Sequence, residues 1–252
     1  MSEFKEFLDA KVQQYEHPDF LEGDPLQIPH RFPKKEDREI SGFLTATIAW
    51  GNRKSIINNA DRMMERLDHA PYDFVMGHGY RDLEKLQGFV HRTFNGLDLT
   101  CFIEALGHVY RQHGGLEAIF TQHQGEDSMQ GAISSFKEIF FSLPHPQRTT
   151  KHLSDPLRGS AAKRINMFLR WMVRDSATGV DLGLWKGISP GKLSCPLDVH
   201  SGNVARKLGL LKRGQNDAKA LGELDASLRA MDPRDPVKYD FALFGLGVFE
   251  KF

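Results

Sequence analysis

A basic segment at residues 159–174 carries the first group of side chains that could do chemistry. Its apolar residues recur at the spacing of one helix face: Ile165, Phe168, Leu169 and Met172. At about 100° per residue, Lys163, Arg170 and Arg174 fall together on the opposite side. The pattern predicts an exposed cationic face along which a backbone phosphate could lie.

The start of this segment has the composition of an anion site. Gly159 and the small residues after it permit close backbone approach, and free N–H groups at a helix start favour an anion. An ordinary capped helix start would have the same sequence, so both interpretations stay open.

A second segment, residues 195–211, places a carboxylate at a helix entrance. Pro196 and Asp198 predict a sharp entry into a helix, with Asp198 as its N-cap. On spacing alone Asp198 is an ordinary cap and His200 a packed or solvated histidine. Basic residues near the far end of the helix extend the basic region: Arg206, Lys207, Lys212 and Arg213.

The formal net charge of the 252 residues is zero, but the charge is unevenly distributed. Residues 1–25 hold seven acids against two lysines, whereas residues 148–174 hold seven bases against Asp155 alone. Polyanions should therefore prefer the second stretch. A solvated helix face is the common alternative for such a run.

Apolar periodicity predicts an all-α protein, because it is helical throughout and no run of alternating strand residues occurs. Two amphipathic helices meet near Trp50. The further helices are expected near residues 99–112, 115–123, 130–142, 160–174, 198–209, 217–231 and 236–248. We expect one compact helical domain in two lobes, about 35–145 and 148–252, preceded by an irregular N-terminal arm over residues 1–34.

Composition excludes several classes of protein. The two cysteines, Cys101 and Cys195, cannot supply the four thiolates of an iron–sulfur cluster or zinc ribbon, and they favour a reduced, cytoplasmic setting. No apolar run approaches a membrane span. No histidine pair sits at ligand spacing on one helix, so a metal-dependent hydrolase is set aside, and we expect no metal, no cofactor and a monomer.

The two segments together resemble the helix-hairpin-helix DNA glycosylase superfamily. Residues 196–200, with the pattern Pro-x-Asp-x-His, are similar to its catalytic-aspartate motif, and Asp198 is the matching aspartate. Residues 159–170 are similar to the hairpin and lysine-bearing helix of the 8-oxoguanine glycosylase/lyase branches, where Lys163 matches the Schiff-base lysine. Its position 35 residues before Asp198 suits the longer-spaced prokaryotic branches.

The same resemblance assigns a pocket and a DNA face. Residues 239–244 are similar to the helix with which those branches hold the damaged base, so Asp240 and Phe244 are the matching pocket residues, with Pro196 beside the aspartate. Trp50 would help to line the pocket, although core packing is its ordinary role. The expected DNA-backbone contacts are Gly159, Arg164, Arg170, Arg174, Arg206 and Lys207.

The hairpin departs from the pattern of that superfamily. Residues 155–160 stand where the superfamily has Pro-Gly-x-Gly, so the helix-hairpin-helix is degenerate. Over nearly its full length the chain also resembles an uncharacterised bacterial family of unknown function, through residues 37–53 and 235–240 in particular.

The resemblance implies a base-excision repair enzyme that removes oxidised, 8-oxoguanine-like purines from damaged duplex DNA. Lys163 would form a Schiff base at C1′ and Asp198 would stabilise the positive charge on the sugar. If Lys163 faces solvent instead, Asp198 would activate water and the enzyme would not cut the strand. The remaining alternative is a noncatalytic nucleic-acid-binding or protein-interaction module.

Overall fold

A computed structural model describes residues 2–123, 125–175 and 177–252. Its α-helices, in chain order, are α1 (Ser2–Tyr15), α2 (Gln27–His30), α3 (Lys35–Thr47), α4 (Arg53–Arg66), α5 (Pro71–Gly77), α6 (Tyr80–Glu84), α7 (Gly96–His113), α8 (Leu116–Thr121), α9 (Gln130–Phe140), α10 (Lys163–Val173), α11 (Val199–Lys207), α12 (Ala218–Met231) and α13 (Tyr239–Val248). Short 3₁₀ turns lie at Pro18–Gly23, Gln147–His152, Pro156–Arg158, Pro190–Lys192 and Pro236–Lys238.

The all-α prediction is confirmed, and the strand content of the described residues is one small antiparallel hairpin. Strands β1 (Val90–His91) and β2 (Phe94–Asn95) pair with Val90 opposite Asn95 and His91 opposite Phe94. Arg92 turns between them with a φ of 54°. Strands of two residues show no alternation, which is why periodicity did not predict them.

The chain divides into two compact units, each built from more than one stretch of sequence. Unit 1 comprises residues 1–20, 123–134 and 155–252, and unit 2 comprises residues 21–122 and 135–154. Unit 1 has an aliphatic core to which α1 contributes Leu8 and Val12, and to which α11, α12 and α13 contribute most of the rest. Unit 2 has a phenylalanine cluster in which Phe102 packs against Phe43 at 5.9 Å and against Phe140 at 4.8 Å between ring centroids.

Several helices begin at side-chain caps that the sequence supplies. Asn52 accepts a hydrogen bond from Ser55 N at 3.1 Å and starts α4, and Asp217 accepts from Ala220 N at 3.0 Å and starts α12. Such caps satisfy N–H groups that have no partner within the helix. Helices α3 and α4 lie on either side of the junction predicted near Trp50, and α7–α13 overlap the predicted ranges, whereas α2, α5 and α6 were not predicted.

Two boundaries differ from the expectation. The N-terminal arm contains a helix, because Leu8 and Val12, one turn apart on α1, are buried in unit 1. The helix expected from residue 160 starts at Lys163, because Ala162 has a left-handed conformation, with φ 45° and ψ 41°, that an α-helix cannot continue.

Candidate functional site

Lys163 and Asp198 meet at two helix entrances within unit 1. Lys163 is the first residue of α10, and Asp198 is the residue immediately before α11. The Lys163 Nζ lies 3.6 Å from the Asp198 Oδ2, and the two side chains are 33% and 18% exposed. Two groups separated by 35 residues in sequence thus form a pair that is partly shielded from solvent.

Asp198 divides its two carboxylate oxygens between two tasks. Its Oδ1 accepts hydrogen bonds from Ser201 N at 2.9 Å and from Ser201 Oγ at 3.1 Å, and Ser201 Oγ accepts from Asp198 N at 2.9 Å. This reciprocal capping box fixes the carboxylate at the start of α11. Oδ2 is the oxygen that lies towards Lys163.

Asp240, on α13, is buried and interacts electrostatically with both members of this pair. Its Oδ2 accepts a hydrogen bond from Arg170, and the Cys195 thiol donates to its Oδ1 with a Sγ–Oδ1 distance of 3.7 Å. Burial raises the pKa of Asp240 to about 6; the Arg170 charge opposes this rise, and the Asp198 charge adds to it. The charge of Asp240 therefore interacts electrostatically with the charges of Lys163 and Asp198.

A protein-family model described as a protein of unknown function, DUF2400, matches residues 24–249. The chain belongs to the DUF2400 family. No curated protein and no solved structure matches it. The DUF2400 chain is thus a member of a family of unknown function, as the near full-length resemblance implied.

Arg170 and Arg174 of this DUF2400 protein do not form the exposed cationic face expected of α10. They are only 4% and 5% exposed. Arg170 Nε donates to Asp181 Oδ1 at 3.2 Å, and Arg174 donates to both carboxylate oxygens of Glu16 at 2.6 and 2.8 Å and to Asp235. A helical wheel shows on which side of a helix a residue lies, but it does not show what covers that side. Here the two arginines are covered by carboxylates, several of which are distant in sequence.

Arg164 is half-buried on the first turn of α10. Burial lowers the pKa of its guanidinium to about 10, so the group stays charged at neutral pH. Because it follows Lys163 directly, it keeps a positive charge beside the helix entrance.

The other expected DNA contacts are closer to the surface of unit 1. Gly159 is exposed with a φ of +91°, and a Cβ at that position would meet no atom within 4 Å. Lys207 is exposed with its Nζ 5.7 Å from the centroid of the Phe252 ring. Arg206 is partly buried and donates to Arg213 O at 2.7 Å and to Asn216.

The expected pocket residues lie in different surroundings. Pro196 is buried, and Phe244 is half-buried with its ring 6.1 Å from that of Phe20. Trp50 belongs to unit 2, where its half-buried ring stacks on His152 at 6.0 Å. A pocket role for Trp50 stays a prediction, as do the base contacts of the other two residues.

A partly buried network of polar side chains next to the two helix entrances was not predicted from the sequence. Gln130 on α9, Asn166 on α10 and Ser194 are joined by hydrogen bonds, and Asp225 on α12 accepts one from Cys195 N at 2.9 Å. Burial raises the pKa of Asp225 to about 6. Hydrophobic periodicity assigns isolated polar residues to the surface of a helix, so it does not predict that these residues form a network.

The part of the chain that the structure describes holds neither a cluster of metal ligands nor a membrane-spanning helix. Residues 2–123, 125–175 and 177–252 contain no group of three or more His, Cys, Asp or Glu side chains that could hold a metal ion. Within the same stretches, every helix is too short or too polar to cross a membrane.

Proposed function

We propose that this protein is a DNA base-excision glycosylase with AP lyase activity, and that it acts on oxidised, 8-oxoguanine-like purines. The observation that carries the proposal is the 3.6 Å separation of Lys163 Nζ and Asp198 Oδ2 at two helix entrances. A nucleophile within reach of a group that can take its proton is the arrangement that covalent catalysis requires. The resemblance of residues 159–170 and 196–200 to the glycosylase motifs indicates which reaction this pair would catalyse.

The reaction begins with the target nucleotide out of the base stack, since its C1′ cannot be reached inside a duplex. The unprotonated Nζ of Lys163 attacks C1′, and the C1′–N bond breaks with its electron pair leaving on the base, which takes up a proton. The attacking nitrogen loses a proton, and the ring oxygen gains one as the sugar opens to a Schiff base. Removal of a C2′ proton then expels the 3′ phosphate by β-elimination.

Asp198 serves both halves of this sequence. Oδ2 is positioned to receive the proton from the Lys163 ammonium and to stabilise the positive charge that develops on the sugar. Because Oδ1 is held by Ser201, the carboxylate does not need to reorient during the reaction. Preorganisation of this kind is a large part of electrostatic catalysis.

The rest of unit 1 supplies candidate substrate contacts. We propose that Asp240 and Phe244 contact the extruded base. The exposed residues Gly159 and Lys207 would contact the DNA backbone. Arg170 and Arg174 are not offered as phosphate ligands, because their guanidinium groups are buried against carboxylates. Arg170 instead holds Asp240 in place.

The test is borohydride trapping on duplexes that contain 8-oxoguanine or an abasic site. Wild type should form a covalent adduct, Lys163→Gln should form none, and Asp198→Asn should slow adduct formation by about 100-fold or more, the size of effect seen when one preorganised group is lost. Asparagine retains the cap of α11, so the Asp198→Asn protein should stay folded.

The matched control is Lys219→Gln. Lys219, like Lys163, lies in the first turn of a helix, but its side chain is exposed, and its loss should leave trapping unchanged. Trapping that survives in Lys163→Gln would refute the assigned nucleophile. A wild-type protein that binds DNA but forms no adduct and releases no base would instead be a noncatalytic binding module.

A further inference from the structure

We propose that Gln130 is a positioning residue that holds Lys163 and Asp198 in register; this role rests on the function proposed above. Gln130 is the first residue of α9. Its Nε2 donates to Asn166 Oδ1 at 3.1 Å and to Ser194 Oγ at 3.0 Å. One amide thus joins the helix that carries Lys163 to the segment that leads to Asp198.

The surrounding hydrogen bonds determine which end of the Gln130 amide faces these partners. Asn166 Nδ2 donates to Ala161 O at 3.0 Å, so its Oδ1 is the atom turned towards Gln130. The Ser194 hydroxyl donates to the Asp225 carboxylate, which leaves its oxygen as an acceptor. Both partners therefore require a donor, and only the nitrogen of the Gln130 amide supplies it.

On the lysine side, the network fixes an unusual helix start. Asn166 lies one turn after Lys163, and its backbone N–H donates to Ala162 O at 3.1 Å while its side chain holds Ala161 O. Ala162 has a positive φ and gives α10 no side-chain cap. The buried Asn166 side chain is thus the feature that fastens this entrance, and Gln130 orients it.

On the aspartate side, the network fixes the approach to α11. Ser194 is four residues before Asp198, and Asp225 holds both the Ser194 hydroxyl and the Cys195 N–H. The Cys195 thiol continues to Asp240. A shift of Gln130 would therefore be transmitted to both members of the reacting pair.

The hydrogen bonds of the Gln130 amide suggest two variants that test positioning separately from packing. Gln130 Oε1 is buried and makes no hydrogen bond within the described part of the chain. Gln130→Met removes the donor while preserving an unbranched side chain of similar length. Gln130→Glu instead places a carboxylate oxygen against two acceptors and displaces them.

The experiment is single-turnover trapping on an abasic-site duplex with wild type, Gln130→Glu and Gln130→Met. Both variants should lower the rate constant at saturating DNA by about tenfold or more, because small misplacements of reacting groups are costly. The DNA dissociation constant should stay within about twofold of wild type. The control, Gln14→Glu, adds the same charge at an exposed glutamine that only accepts a hydrogen bond, from Lys11, and should behave as wild type.

A merely structural role for Gln130 would give a different result. It would lower the amplitude of the reaction and the melting temperature, but leave the rate constant of the remaining folded enzyme unchanged. An unchanged rate constant in Gln130→Met or in Gln130→Glu would overturn the proposal.

A second readout separates this inference from the proposed function. In ¹³C-dimethylated protein, the Lys163 signal is identified by its loss in Lys163→Gln, and the uncharged Gln130→Met should shift its resonance while Gln14→Glu should not. If wild type forms no adduct but this shift occurs, the glycosylase function fails and the positioning role stands. If wild type forms the adduct but the Gln130 variants react normally and leave the Lys163 resonance unchanged, the positioning role fails alone.

Discussion

Asp198 shows how one side chain can satisfy two interpretations of its sequence. The residue is an N-cap, as its position before a helix predicts, and its second oxygen also lies near Lys163. A cap needs only one carboxylate oxygen, so the other is available for chemistry. The cap therefore fixes the oxygen that the proposed mechanism uses, and Asp198→Asn separates the two roles because asparagine keeps the cap and removes the charge.

The buried carboxyl of Asp225 gives a prediction about pH. Its pKa is about 6 in the folded protein, against an ordinary value of 3.8, because burial disfavours the charged form. The folded state binds this proton more tightly, so the stability contributed by Asp225 is complete below pH 3.8 and is lost as the pH rises through 6. Asp225→Asn cannot ionise and should therefore gain about 1 kcal/mol relative to wild type between pH 5 and pH 7.

Urea unfolding of both proteins at the two pH values measures this difference. Asp127→Asn, at an exposed aspartate, is the control and should show no such gain. A stability difference between Asp225→Asn and wild type that is the same at pH 5 and pH 7 would show that Asp225 does not titrate in this range.

At the scale of the element, the two helices of the site start by different means. Helix α11 starts at a reciprocal capping box, whereas α10 starts after Ala162 and depends on Asn166. The turn before α10 contains Gly159, whose carbonyl accepts from Ala218 N at 3.0 Å. This glycine is exposed and left-handed, so its backbone conformation and its surface position can be tested separately.

Gly159→Ala and Gly209→Ala form a matched pair for that test. Both glycines have positive φ, +91° and +73°, and a Cβ at either position meets no atom within 4 Å. Each variant should lose about 1 kcal/mol of stability, because an L-residue is strained in this conformation. Only Gly159→Ala should weaken binding to duplex DNA, measured by fluorescence anisotropy, because only there would the methyl group keep a phosphate away.

If the two glycine variants bind duplex DNA with equal affinity, Gly159 does not contact the DNA backbone. Thermal unfolding of both proteins verifies that the conformational cost is the same. If Gly159→Ala alone were strongly destabilised, a change in its affinity would reflect damage to the turn rather than a blocked contact.

At the scale of the whole molecule, the net charge of zero provides no general attraction to DNA. The proposed affinity for DNA would then depend on particular exposed cations, and the basic stretch at residues 148–174 holds both exposed and buried arginines. Arg158 has a side chain that is 85% exposed, whereas Arg174 is buried among Glu16, Asp181 and Asp235. Within this stretch we therefore expect Arg158 to contact DNA and Arg174 to stabilise the fold.

Arg158→Gln and Arg174→Lys should separate these roles. Arg158→Gln should reduce the slope of log affinity against log salt by about 1 and leave stability unchanged, as expected for the loss of one phosphate contact. Arg174→Lys should cost about 2 kcal/mol or more of stability and leave the salt slope unchanged, since lysine cannot bridge several carboxylates as a guanidinium does. A reduced salt slope for Arg174→Lys would place that residue at the DNA.

The sequence predicted what depends on local spacing and failed where distant residues decide. Helices α10 and α11, and the entrance at Asp198, follow from apolar periodicity and cap chemistry. The covering of Arg174 by Glu16 joins residues 158 positions apart, and no helical wheel contains that information. Gln130 was missed for the same reason, because the sequence does not show which side chains lie within hydrogen-bonding distance of it.

The interleaved composition of unit 1 has a consequence for biosynthesis. Helix α1 emerges from the ribosome before α13, but the core to which α1 contributes Leu8 and Val12 includes Tyr239, Ala242 and Leu243 of α13. At about 5–20 residues per second, α1 must wait roughly 10–45 s for α13 to be translated. During that time its apolar face has no native partner, so a nascent chain stalled before residue 239 should bind holdase chaperones through its N-terminal segment and release them when synthesis resumes.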